Sequence, residues 1–335
     1  MDKYRVAVIG ATGLVGRTLI KMLASHPFFE LDGVYASESS RGYSISNISS
    51  SYAKNLIVER SDVSLINSKK FDLIFSAVSE KNAALIERQL SESGNVVITN
   101  ASGNRMEPDV PIIIPEINGN LLAEHKGNGK IIANGNCSTI GLSFGIAPLL
   151  GYGINSVDVT TLQAVSGAGY PGVPSMDILS NVIPFIENEE SKMINETSKI
   201  FRPFYPERNM FEVTATCNRV PVENGHIEAV TITTEEEPDS VEDIYRSFSG
   251  VNLPAGLPTL PEKPIIVLKE PDRPQPKLDS MLPESDGKRG MSIAVGRIRK
   301  FKKKVMVVIL VNNLIRGAAG STLLNAELAV KSGVV

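Results

Sequence analysis

A short β-branched run, Arg5 to Ile9 (RVAVI), stops at Gly10 and passes through G-A-T-G-L-V-G into a segment of helical periodicity. Nothing else in the chain restricts its fold as much. Leu14, Val15, Leu19, Ile20, Met22 and Leu23 fall at spacings that give one apolar helix face up to Ser25. Strand, glycine turn and helix in that order open a βαβ unit, the context that lends a glycine fingerprint weight. Glycines let the backbone approach a pyrophosphate, and the start of the helix offers free N–H groups and partial positive charge. The spacing is G-x-x-G-x-x-G, a variant of the usual G-x-G-x-x-G, and a purely structural glycine turn is the competing interpretation.

The alternation continues. Strands are expected at Leu31 to Tyr35, Phe71 to Ser76 and Asn95 to Thr99, with a helix over Ala83 to Leu90. That pattern makes a parallel sheet with helices on both faces, reaching about residue 135. Beyond Cys137 the texture changes. Asp158 to Ala164, Glu212 to Thr216, Ile227 to Thr233 and Met291 to Ile298 alternate in period two, as an antiparallel sheet with one wetter face does. The Pro-rich stretch Leu253 to Pro276 is expected as a surface loop, and Lys302 to Lys304 as a solvated turn between strands. The apolar segment from Gly317 to Lys331 is expected to pack back on the first domain. The fold class is therefore α/β, a Rossmann-type parallel-sheet dinucleotide domain plus an α+β catalytic and dimerisation domain with a mostly antiparallel sheet. The expected domains are 1–136 with 317–335, and 137–316.

Composition narrows the function classes. A chain of 335 residues has room for about two domains of roughly 150 residues. A net charge of −3 gives no general attraction to nucleic acid or anionic membrane. The longest strongly apolar run, Val305 to Val311, is far short of the roughly 20 residues of a membrane helix. Two cysteines make no disulfide framework, and the N-terminus lacks the features of a signal peptide, so a cytoplasmic protein is expected. No Cys/His/acid cluster has metal-ligand spacing, so no metal is expected.

Chemistry concentrates in four places. At the end of the second strand stand Ser37, Glu38, Ser39, Ser40 and Arg41. Hydroxyls and an arginine suit the 2′-phosphate of NADP, whereas Glu38 would suit the ribose of NAD; NADP is favoured and NAD kept open. Cys137, in N-G-N-C-S-T, stands where a helix begins, and a helix start favours thiolate, the nucleophilic form. A lone cysteine is also commonly a small buried hydrophobe. Gln163 precedes the small-residue loop Ser166 to Tyr170 and could present a carboxamide to a substrate, or simply enter a turn. Of the three histidines, His26 precedes a proline at a helix end and His125 lies in a polar stretch. His226 opens a strand, where a firmly held acid/base belongs, although a structural histidine fits equally.

Together these segments resemble the aspartate-β-semialdehyde dehydrogenase family, specifically its archaeal and fungal-like branch. The resemblance runs nearly end to end through G-A-T-G-L-V-G, N-C-S-T, S-G-A-G-Y-P-G, R-V-P-V with the later histidine, and N-N-L-I-R-G-A-A-G. It implies Cys137 as the nucleophile that forms a thioester, His226 as acid/base and Gln163 as the residue orienting the substrate. It implies Arg219 for the substrate carboxylate, Glu189 for its ammonium, and Lys192 and Arg105 for phosphate, with Asn136 adding to that site. The candidate cofactor contacts are Gly10, Thr12, Gly13, Leu14, Val15, Ser37, Ser40, Arg41, Ser76, Ser166, Gly167 and Asn312. The implied reactants are L-aspartyl-4-phosphate, L-aspartate-4-semialdehyde and phosphate, and the implied assembly is a homodimer or homotetramer. Rival functions on this scaffold are a malonyl- or succinyl-CoA reductase and an N-acetylglutamyl-phosphate reductase. A catalytically inactive NADP-binding regulator is the rival from another class.

Overall fold

The computed structural model describes residues 3–47, 55–78, 80–124, 129–205, 210–250, 253–284 and 288–335; His125 lies outside them. The chain divides into two compact units, one made of 1–135, 254–258 and 318–335, the other of 136–253 and 259–317.

In the first unit, β1 (Tyr4–Ile9), β2 (Phe29–Ala36), β3 (Glu59–Arg60), β4 (Leu73–Ser76), β5 (Val96–Thr99) and β6 (Lys130–Ala133) form one sheet in the order β3-β2-β1-β4-β5-β6. Every pairing in it is parallel. Strands covered on both faces must be apolar throughout rather than alternating. All four residues of β4 and of β5 are buried accordingly, and Val6, Val8, Leu31, Leu73, Phe75 and Ile98 belong to the core. The strand order reverses between β1 and β4, the switch point at which sheets of this kind open a crevice at the strands' carboxyl ends. The last helix, Gly320–Lys331, buries most of its surface in this unit, as its apolar sequence requires. His26 works here as a clamp. Its Nε2 lies 2.8 Å from the buried Glu327 carboxylate of that helix, and its ring stacks on Phe29 at 4.7 Å.

In the second unit, β7 (Ile154–Gln163), β8 (Glu212–Arg219), β9 (His226–Thr234), β10 (Ile265–Val267), β11 (Ile293–Phe301) and β12 (Lys304–Val311) form a sheet in the order β10-β11-β12-β9-β7-β8. The sheet is mixed rather than purely antiparallel: β7 with β8 and β10 with β11 run parallel, and the other three pairings are antiparallel. A parallel neighbour needs a crossover connection, and the link from β7 to β8 carries one, the helix Glu189–Phe201 that packs on β8. The helix Cys137–Ile146 lies against β9 and β12 and is buried at every position after Cys137. Gly141 lets it come that close, since a Cβ there would sit 2.5 Å from the Glu228 carboxylate.

The Pro-rich stretch is not simply a surface loop. Leu257 and Leu260 are buried, and Ile265–Val267 forms β10 at the sheet edge. Prolines at 254, 258, 261 and 264 precede that strand without interrupting it, and an edge strand tolerates them. Lys302 and Lys303 make the turn between β11 and β12 as expected, and Lys304 opens β12.

Candidate active site

The first unit builds its dinucleotide corner at the end of β1. Gly10 has φ +78°, and a Cβ there would lie 2.3 Å from the Ala77 carbonyl oxygen, so both conformation and space demand glycine. The helix Leu14–Leu23 follows with Gly13 as its N-cap and no side chain bonded to its first amides. Helix-start N–H groups of this kind suit a pyrophosphate, and Leu14 and Val15 lie in that first turn. The Thr12 and Ser40 hydroxyls stand 3.2 Å apart, so the loop after β2 closes on the glycine turn. Ser37 bonds Ser39 at 2.9 Å. Glu38, the residue that would favour NAD, lies 3.4 Å from Arg41 and 3.9 Å from Arg60, all three more than half exposed. Two guanidiniums around one carboxylate leave the corner net positive, which fits a 2′-phosphate. Arg60 gave no signal in the sequence because β3 pairs it with Ala36 across a gap of 24 residues.

Ser76, a candidate cofactor contact, ends β4. It is fully buried and donates its hydroxyl to Glu87 at 2.6 Å, sharing that carboxylate with Thr99 at 2.5 Å and Asn104 at 2.9 Å. Burial pushes the Glu87 carboxyl above its usual range, against those three bonds. Arg105 is buried in the same unit and donates to the Asn100 carbonyl at 2.5 Å.

The second unit gathers the remaining residues. Asn136 caps the Cys137 helix, its Oδ1 accepting from the Ser138 and Thr139 amides at 2.9 and 3.2 Å. Its Nδ2 donates to Glu189 Oε1 at 3.0 Å, and its backbone N–H to Glu196 Oε2 at 2.6 Å. Asn136 therefore positions Glu189 and the helix that Cys137 opens. Gln163 is similarly occupied, donating to Ser138 Oγ at 2.6 Å and to the same Glu189 oxygen at 3.0 Å. Two amides thus fix Glu189 through Oε1, and Oε2 has no bond among the described residues. Lys192 lies one turn further along the same helix, half-buried.

Register brings Gln163 opposite Arg219 on β8, and Ala164 follows directly. Arg219 is buried and donates to the Ala164 carbonyl at 2.8 Å. Burial lowers its pKa, while the charges of Cys137 and Glu189 act the other way. His226 is fully buried at the start of β9 and accepts the Ala164 N–H on Nδ1 at 3.0 Å. Burial, helped by the Arg219 charge, pushes its pKa down to about 3. Gly167 covers both: a Cβ there would meet an Arg219 nitrogen at 2.8 Å and His226 Nε2 at 3.2 Å. Ser166, like Gly167 a candidate cofactor contact, accepts from Asn313 Nδ2 at 2.8 Å. Asn312, a third such candidate, bonds through both ends of its side chain. Its Oδ1 accepts from the amides of Leu314 and Ile315, and its Nδ2 donates to the Ser280 carbonyl at 3.0 Å.

The two cysteines differ. Cys137 is half-buried at its helix start, whereas Cys217 is fully buried 3.6 Å from the Met193 sulfur. Burial pushes the Cys217 thiol up to about 12, which makes it inert near neutral pH. Among the described residues no group of acids, histidines and cysteines could hold a metal ion.

Glu228, two residues along β9 from His226, was missed. It is fully buried, neither oxygen has a partner among the described residues, and burial with the nearby Glu189 charge raises its pKa well above the ordinary value. A raised carboxyl contributes its full stability below the unfolded pKa of about 4.3. That stability is lost as pH climbs towards the folded pKa, by about 1.4 kcal/mol for each pH unit between the two values. Glu228→Gln removes that loss. The expected result is a melting temperature several degrees higher at pH 8 and little changed at pH 4.5, read by thermal scans of both proteins.

Comparisons with known proteins fit this site. The semialdehyde dehydrogenase NAD binding domain matches residues 5–125, and the semialdehyde dehydrogenase dimerisation domain matches residues 146–316. The aspartate-semialdehyde dehydrogenase of Archaeoglobus fulgidus is 42% identical over 99% of this chain and 100% of its own. The chain belongs to the aspartate-semialdehyde dehydrogenase family. The Saccharomyces cerevisiae member is 36% identical over 99% of both chains. Among solved structures, the Candida albicans aspartate-semialdehyde dehydrogenase with NADP superposes with a TM-score of 0.86 at 34% identity, covering 99% of this chain and 100% of that one. Aspartate-semialdehyde dehydrogenase II of Vibrio cholerae complexed with ASA gives 0.78 at 29% identity, over 99% of each chain. Its archaeal and fungal relatives place the chain in the branch its motifs resemble.

Proposed function

We propose that the chain catalyses NADPH-dependent reductive dephosphorylation of L-aspartyl-4-phosphate to L-aspartate-4-semialdehyde through a thioester on Cys137. The observation that carries this reading is the placement, within one unit, of a half-buried cysteine at a helix start with Gln163, Glu189, Arg219 and His226 grouped by register and hydrogen bonds.

The Cys137 sulfur attacks the acyl carbon, the bond from that carbon to the phosphoryl oxygen breaks, and phosphate leaves with the electron pair. The chemistry supplied by the bound dinucleotide is hydride donation to the thioester carbon. Expulsion of the sulfur then releases the aldehyde and restores the thiolate. Splitting the reduction this way replaces one difficult step with two easier ones. Arg219 grips the α-carboxylate with a charge-assisted fork, and Glu189 Oε2 receives the ammonium. Gln163 and Asn136 act through Glu189. The dinucleotide's pyrophosphate belongs on the first amides of the helix Leu14–Leu23, and its 2′-phosphate beside Ser37, Ser40, Arg41 and Arg60. By family resemblance, Lys192 contacts the phosphoryl group. An anion held for an ammonium argues against an N-acetylated substrate, whose amine carries no charge.

The chain's place is in the cytoplasm, where two free cysteines persist. Its state is a homodimer or a homotetramer. Support comes from the exposed apolar side chains of one segment, Tyr170, Met176, Leu179, Val182 and Phe185, with Met176 84% exposed. Light scattering is expected to give at least twice the 36.1 kDa chain mass.

Acylation tests the reading directly. Mixed with L-aspartyl-4-phosphate and no dinucleotide, the protein is expected to release one phosphate per active subunit and to gain an aspartyl group on the peptide containing Cys137. Acylation elsewhere, or none, contradicts it.

A further inference from the structure

We infer that Gly317 is a positioning residue for Cys137: the bare backbone of a π-turn, held by Asn312 and seated against the root of the nucleophile, sets where the sulfur meets the acyl carbon. This rests on the thioester reading of Cys137 and deepens it.

Contact is the first observation. A Cβ at Gly317 would lie 2.7 Å from Cys137 Cβ and 3.2 Å from its Cα. Those atoms are not the tip of a mobile side chain that could swing aside. They are the first two carbons of the nucleophile, fixed by the helix Cys137–Ile146. Any side chain at 317 therefore has to displace Cys137, its own turn, or both. Glycine lets the turn touch the stem of the nucleophile and leave it in place, so the sulfur moves about a root held from both sides.

The turn is fixed by its own bonds. The Gly317 N–H donates to the Asn312 carbonyl at 2.8 Å, five residues back, the wide ring of the π-turn Ile315–Ala319. Turns of this kind shift the backbone out of its usual path and recur at functional sites. Asn312 supplies the rest. Its Oδ1 accepts from the Leu314 and Ile315 amides at 3.2 and 3.0 Å, and its Nδ2 ties the segment to the Ser280 carbonyl. Arg316, the preceding residue, is fully buried, with its guanidinium 4.8 Å from the centre of the Phe144 ring. Phe144 stands seven residues beyond Cys137, on the same face of that helix. Consecutive residues of the turn thus meet one stripe of the nucleophile's helix at two points.

Position is what acylation demands. The S–C bond forms, the C–O bond to the phosphoryl group breaks, and the proton given up by the thiol ends on the departing phosphate. The acyl carbon belongs to a substrate already held by Arg219 and Glu189, so the sulfur has to be placed relative to them. A displacement of about 1 Å at such a step costs on the order of 10²-fold. Gly317 brings no side chain and its N–H is spent on Asn312, so it governs where the sulfur is and not how readily the thiol ionises.

Two rates measured on one protein separate position from reactivity. Acylation by L-aspartyl-4-phosphate without dinucleotide, followed as phosphate released in the first turnover, needs the sulfur in place. Alkylation by iodoacetamide, which the site does not hold, needs only an accessible thiolate. Gly317→Ala is expected to acylate about 10²-fold more slowly, with half-saturation by the acyl phosphate and the alkylation rate both within about threefold of wild type. The pH midpoint of alkylation should not move. Asn312→Ala, which loosens the turn and adds no atom beside Cys137, should show the same split with acylation about tenfold slower. Asn312→Asp keeps an acceptor for the Leu314 and Ile315 amides and should recover most of that loss. Wild-type acylation in Gly317→Ala overturns the inference. So does an equal fall in both rates, which would mean a lost thiolate or a blocked site. If Gly317→Ala does not fold, the Asn312 variants decide, and the absence of a split in Asn312→Ala overturns it. Failure of the wild-type protein to acylate would instead overturn the thioester reading, so the two failures are separable.

Discussion

Cys137→Ser is expected to fold, bind NADP and turn over at least about 10⁴-fold more slowly than wild type, a loss of the size seen when a covalent nucleophile is removed. The hydroxyl keeps the size and polarity of the thiol, but its far higher pKa leaves almost no anion to attack the acyl carbon. The bonds that cap the helix do not run through the sulfur. Asn136 still caps the helix through the Ser138 and Thr139 amides, and Glu196 still holds the Asn136 N–H. Melting temperature and NADP affinity should therefore match wild type while kcat falls. Alkylation supplies the companion result. Iodoacetamide near neutral pH should modify one thiol per subunit and abolish activity, with Cys217 silent because burial holds its thiol at about 12. Loss of activity without label on Cys137, or equal slow labelling of both thiols, would show that Cys137 is not the nucleophile.

The second large effect is expected at Arg219. Removing one partner of a buried charge pair costs roughly 2–5 kcal/mol, or about 30- to several-thousand-fold in kcat/KM. Arg219→Leu should show that loss for L-aspartate-4-semialdehyde, mostly as a raised KM, because the carboxylate is bound in ground and transition states alike. Arg219→Lys should recover little. The guanidinium donates to the Ala164 carbonyl with one nitrogen and keeps others for a carboxylate, a fork that an ammonium cannot repeat. NADP affinity should be unchanged in both variants. A normal KM in Arg219→Leu would mean that another group holds the carboxylate.

Much of this could be read from residues near one another in the chain. The turn at Gly10 was legible because strand, turn and helix follow directly, and a positive φ admits few residues other than glycine. Cys137 and His226 were legible because each opens a regular element. Their supports were not, since they come from far along the chain. Glu196 reaches the Asn136 amide across 60 residues, and Asn313 reaches Ser166 across 147. Arg60 joins Glu38 only through β3 pairing. The partner of His226 was not legible either, since the Ala164 N–H that meets its Nδ1 lies 62 residues away. Glu228 did leave a signal. In His226–Thr234 the buried parity is His226, Glu228, Val230 and Ile232, so period-two alternation already placed that acid on the packed face. Mixed strand direction was not legible, because alternation reports which face is buried and not which way the neighbour runs.

The most direct test of the thioester chemistry is reduction of NADP by the purified protein with L-aspartate-4-semialdehyde, with and without inorganic phosphate. An aldehyde oxidised to a thioester on Cys137 needs phosphate to release it. The expected record is steady NADPH formation that saturates with phosphate, and only a burst of about one NADPH per active subunit without it. Equal steady rates in both conditions, or no NADPH from a protein that binds the dinucleotide, would contradict it.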